Sequence, residues 1–70
     1  MKYIIKFIDQ NDKEVGSWNQ ERLPVKGKAI VLGGSQYRDN ELFYKIGDII
    51  SKEYDTTEKF TLVKCRVLEL

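Results

Sequence analysis

A mainly β fold, built as a small five-stranded antiparallel barrel or rolled sheet, is predicted by three features of the sequence. Two β-patterned segments, residues 43–54 and 60–68, are joined by the polar stretch 55–59 and read as a long hairpin. Shorter segments of period two or continuous apolar character precede them at 2–8, 14–18 and 28–32, each bounded by turn-forming residues. With 70 residues, an open sheet would leave unpaired edges, so closure of the last strand onto the first is the expected arrangement.

In the first segment Tyr3, Ile5 and Phe7 share one face, while Lys2 and Lys6 stand with Ile4 and Ile8 on the other. Residues 9–13 are turn chemistry, because Asn and Asp tolerate left-handed backbone and bond their own main chain. A loop of Gln10, Asn11 and Asp12 sets Asp9 opposite Lys13 and Phe7 opposite Val15. A tighter loop would place Asp9 against Glu14, a like-charge pair across the ladder, so the longer loop is preferred. The second strand, 14–18, contains Gly16, the mark of a bulge or a close backbone approach. Residues 19–22 are polar and aperiodic and read as a loop.

Pro24 pre-sets φ for a turn and Gly27 supplies positive φ, launching the third strand at 28–32. Gly33, Gly34 and Ser35 end it, and residues 36–41 form a polar connection. The segment from 41 to 54 admits two readings. Leu42, Phe43, Ile46, Ile49 and Ile50 have amphipathic helix spacing, giving an α+β alternative with one helix at about 41–53. A mid-helix Gly47 costs about 1 kcal/mol, and the segment is rich in β-branched and aromatic residues. The strand reading is therefore preferred, with Tyr44 and Ile46 on one face, a bulge at Gly47, and that face resumed by Ile50 and Tyr54. In the last strand Thr61, Val63, Cys65 and Val67 form an inner row, and Lys64 and Arg66 lie outside between Leu62 and Leu68. The N-terminal strand is expected to cover part of that outer row.

Size and composition bound the rest. A chain of 70 residues makes one domain spanning 1–70, with a thin core that rarely yields more than about 3–5 kcal/mol without a staple. The lone Cys65 cannot form an internal disulfide, and without histidine no structural zinc set exists. The single thiol and an N-terminus without an apolar signal region lead to the expectation of a cytoplasmic protein. The longest apolar run in the body, 29–32, is far short of the roughly 20 residues of a membrane helix. Twelve basic and eleven acidic residues give a net charge of +1, so no global field collects polyanions.

The runs L-P-V-K-G-K-A-I-V-L, Y-K-I-G-D-I-I and F-T-L-V-K-C-R-V-L-E-L, within residues 23–70, resemble the short SH3-like barrels often encoded by phages, prophages and mobile elements. The resemblance lies in a Pro-x-x-Gly turn opening a strand and in a closing valine-rich strand, and it carries no functional residues across. It implies an accessory or host-interacting protein, an inhibitor or adaptor, of phage or mobile-element type.

No catalytic constellation can be assembled. Cys65 lies on an inner row with no imidazole to activate it, the carboxylates lack calcium-loop spacing, and Gly33–Gly34–Ser35 lacks the Lys of a phosphate loop. No enzyme activity, cofactor or metal is expected. The expected function is binding of another protein, or self-association, through Trp18, Tyr37 and Arg38, which are of the residue types enriched in binding hot spots. The competing role for Trp18 is to pack over the open end of the barrel. The alternative function is nucleic-acid binding, with Lys45, Lys64 and Arg66 on phosphates and Tyr54 stacking on bases. Interleaved acids and near-neutral charge weigh against it.

Overall fold

The computed structural model describes residues 2–34 and 38–70, and of residues 34 and 38–41 the backbone only. Five strands follow one another: β1 (Tyr3–Ile8), β2 (Glu14–Gln20), β3 (Ala29–Gly34), β4 (Arg38–Asp55) and β5 (Phe60–Glu69). They form one sheet in the order β2-β1-β5-β4-β3, rolled until β2 and β3 meet across a seam. The segment with two readings is strand throughout, and the helix alternative is absent.

Three ladders are antiparallel, and the β1–β5 ladder is parallel, pairing Ile5 with Val63 and Phe7 with Cys65. This departs from an all-antiparallel barrel for a simple reason. Five strands arranged in a ring cannot alternate direction all the way round, so one neighbouring pair must run the same way. Here that pair joins the N-terminal hairpin to the C-terminal one.

Alternate side chains fill the interior, as period two requires. Ile5, Phe7, Val15, Leu32, Tyr44, Ile46, Val63, Cys65 and Val67 form the buried cluster, and Leu23, Ile30 and Ile49 pack against it. Complete burial of each large aliphatic or aromatic side chain contributes roughly 1.5–3 kcal/mol before conformational entropy is set against it.

Turn chemistry sets the ladders. Asp9 opposes Lys13 as expected, its amide donating to the Lys13 carbonyl at 2.9 Å. Its buried carboxylate accepts the amides of Asn11 (2.8 Å) and Lys13 (3.0 Å), and Asp12 takes a φ of 62°. Beyond this point the register differs from the expected one. Ile8 pairs with Glu14 but Phe7 with Gly16, so Val15 is the extra residue of a bulge and Phe7 does not face it. Gly16 is thereby brought against β3, where an added Cβ would stand 2.8 Å from Leu32 Cδ2.

The second strand also runs two residues further than expected, so Asn19 and Gln20 are strand rather than loop. The third continues through Gly34 instead of ending at Leu32, with Gly34 pairing with Arg38. Residues 38–41, read as part of a polar connection, open β4. β4 carries two bulges, one at Gly47–Asp48 and one at Ile50. Each extra residue reverses facing, so Ile49 packs on the core and Ile50 is exposed, the opposite of the expected resumption at Ile50. The second reversal returns Tyr54 to the row of Thr61, and it too is exposed. Nor does β1 cover the outer row of β5; it lies beside that strand in the sheet.

Candidate functional site

Where β2 and β3 diverge from the Gly16–Leu32 contact, the seam opens into a groove of about 420 Å³. One wall is Trp18 and Gln20 of β2, and the other is Ala29 and Ile30 of β3. Ile46 of β4 contributes from beneath, and residues 22–25 with Lys28 complete the lining. The crossover is held by a turn in which Gly27 has a φ of 91° and the Lys28 amide reaches the Val25 carbonyl at 3.2 Å. The Gly27 amide donates to the Ile46 carbonyl and the Ile46 amide donates to the Lys28 carbonyl, both at 2.8 Å. Gly27 takes the positive φ read from the sequence, while Pro24 stands just before the hydrogen-bonded turn, whose central residues are Lys26 and Gly27.

Trp18 is packed on the interior along part of its ring and open to solvent along the rest. Its ring meets Phe7 edge to face at a centroid distance of 5.1 Å and an angle of 77°. Such a contact contributes about 0.5–1.5 kcal/mol beyond burial. Phe7 is fully buried, whereas Trp18 stays 37% exposed, so the indole is an interior side chain at one edge and a groove wall at the other.

The charged lining residues are Arg22 and Lys28. Lys26 nearby is paired with Asp48 at 2.7 Å. Among the described residues no carboxylate lies within ion-pair distance of Arg22 or Lys28.

The other residues singled out from the sequence fall elsewhere. Tyr37 lies outside the described residues. The backbone of Arg38 pairs with Gly34, at the opposite end of β3 from the groove residues Ala29 and Ile30, so the fold does not gather Trp18 and Arg38 on one rung. Lys45 and Lys64 project from the outer face of β4 and β5, and their rungs, 45–68 and 51–64, are four residue steps or about 13 Å apart along β5. Arg66, on the same face, is engaged: its guanidinium donates to the Asp9 carbonyl oxygen and meets Asp12 Oδ1 at 2.9 Å. Tyr54 occupies the inner-facing row with Thr61. Lys45, Lys64 and Arg66 thus share the outer face, and Tyr54 does not join them.

Two features escaped sequence reasoning. Residues 22–25 and 28 form a wall, although singly they read as loop and turn; the exposed Val25 in a turn was the available signal. On the outer face, Val31 pairs with Phe43 and the Leu70 amide donates to the Phe43 carbonyl, with Leu68 on the next rung. All four are exposed, Phe43 to 62%.

Cys65 is buried at the centre of β5, and burial, with Asp48 adding to it, pushes its thiol above the usual value. A raised pKa withholds the thiolate that nucleophilic chemistry needs. Among the described residues no group of three or more His, Cys, Asp or Glu is placed to hold a metal ion, and no helix is long and apolar enough to cross a membrane. Comparison with protein-family models, with curated proteins and with solved structures gives no match for this chain.

Proposed function

We propose that the protein is a non-catalytic binding module whose partner is another protein, gripped at the groove beside Trp18. The observation that carries this reading is the position of Trp18, anchored on buried Phe7 yet open to solvent among apolar groove residues. A rigid aromatic with one free face binds at small entropic cost, since its rotamer is already held. The sheet supplies a second device at the same place, because β2 and β3 are its terminal strands and a partner strand can add to such an edge. Arg38 and Tyr37, singled out from the sequence, extend the same reading to a second contact. The phage or mobile-element setting rests on resemblance of sequence, and a reducing compartment accords with a single buried thiol.

Affinity capture followed by titration with the purified partner tests the reading. Binding is expected to saturate and to be lost in Trp18→Ala and Val25→Glu, while Arg38→Ala weakens it less. Unchanged affinity in all three variants overturns it. A low-salt electrophoretic shift with oligonucleotides, abolished by Lys64→Glu, would install nucleic-acid binding in its place.

A further inference from the structure

We infer that the groove takes an extended peptide segment in which an apolar side chain is flanked by a carboxylate. This rests on the protein-binding reading and specifies the chemistry of the partner. The floor sets the first requirement. Trp18, Leu23, Ile30 and Ile46 present carbon surface, and an apolar side chain laid on them removes both apolar surfaces from water. The charge sets the second. Arg22 and Lys28 stand at the groove with no carboxylate of the described residues within ion-pair distance, whereas neighbouring Lys26 is already matched by Asp48. An anionic group on the occupant supplies what the protein leaves open.

The third requirement is shape. The two walls belong to β2 and β3, which carry no ladder to each other, so the seam exposes strand edges along the groove. A segment in β conformation pairs with such an edge while its alternate side chains point to the floor and away from it. A nucleic-acid strand fits less well. It needs successive stacking platforms and a cationic track, and the groove offers one aromatic and two cations among mostly aliphatic residues and Gln20.

Trp18 is the chain's single tryptophan, so its emission reports occupancy directly. Three pools of short synthetic peptides, each with a central Leu flanked by Glu, by Gln or by Lys, are titrated against the protein. The acidic pool is expected to shift Trp18 emission at about tenfold lower concentration than the neutral pool, the scale that two exposed charge pairs supply, and to lose that advantage at high salt. In the Arg22→Glu, Lys28→Glu double variant, whose substitutions lie at exposed positions, the basic pool is expected to take the lead. Equal response to acidic and neutral pools overturns the inference and leaves the protein-binding reading standing. Silence of every pool, while a purified partner still binds through Trp18, also overturns it. A response only to single-stranded oligonucleotide overturns both.

Discussion

Gly16 and Leu32 touch where the two ends of the sheet come together: a Cβ at position 16 would stand 2.8 Å from Leu32 Cδ2. Leu32 is itself buried, so its methyl groups have little room to retreat. Gly16→Val is expected to destabilise by about 1–3 kcal/mol through overpacking, and Leu32→Ala by about 2–5 kcal/mol through the cavity it leaves. Combined, the two losses are expected to be clearly less than additive, because each change answers the other. Urea unfolding of the four proteins measures the coupling, and strict additivity would show that the seam does not close at this pair.

Arg66 ties β5 to the β1–β2 turn by donating to the Asp9 carbonyl and pairing with Asp12. Removal of the guanidinium in Arg66→Met should cost about 1–2 kcal/mol, mostly from the partly buried bond to the carbonyl. Asp12→Gly should cost little, because the lost pair is largely exposed and glycine relieves the left-handed φ of 62°. Asp9→Ala should cost about 2 kcal/mol, since two turn amides lose their acceptor. Thermal unfolding ranks the three, and a larger loss in Asp12→Gly than in Asp9→Ala would refute the assignment.

Lys59 closes the β4–β5 turn with a φ of 58°, its amide donating to the Asp55 carbonyl at 2.8 Å. Left-handed backbone costs a β-carbon-bearing residue about 1–2 kcal/mol, and glycine regains part of that while adding unfolded-state entropy. Lys59→Gly is therefore expected to raise stability by about 0.5–1 kcal/mol. A drop in the unfolding midpoint would contradict it.

These turns show what could be read from the sequence. Asp9, Asp12 and Gly27 announced their conformations because a side-chain acceptor and tolerance of positive φ act locally. The inner row Thr61, Val63, Cys65 and Val67 announced itself by strict alternation, and all four are buried. Bulges were only half legible. Gly47 and Gly16 marked the places, yet an extra residue at Val15 and at Ile50 depends on what the neighbouring strand presents, which no local pattern encodes. The groove was illegible for the same reason: Trp18 and Ile30 come to line one groove only once the sheet has rolled.

Cys65 provides a pH prediction. Its thiol is raised above 9.0 in the fold by burial and then by Asp48, so it stays protonated where the unfolded thiol ionises. The contribution is fully present below pH 9 and is lost as the pH rises through the folded value. Wild type should lose stability above pH 9 more steeply than Cys65→Ala, which lacks the group while retaining every tyrosine and lysine. Parallel slopes for the two proteins would refute the shift. At neutral pH, alkylation of Cys65 should proceed only through opening of the fold, and a rate matching that of a free thiol would show the site to be accessible.

β5 lies between β1 and β4, and its parallel ladder with β1 is what links the two hairpins within the sheet. During synthesis, then, β1 and β2 can form only an isolated two-stranded ribbon, marginal in water, until the residues of β5 have left the ribosome. In that interval the apolar faces of the β1–β2 and β3–β4 ribbons are open to chaperones and to one another. A stalled chain released before residue 60 should accordingly be protease-sensitive along its whole length, however well formed its first turn.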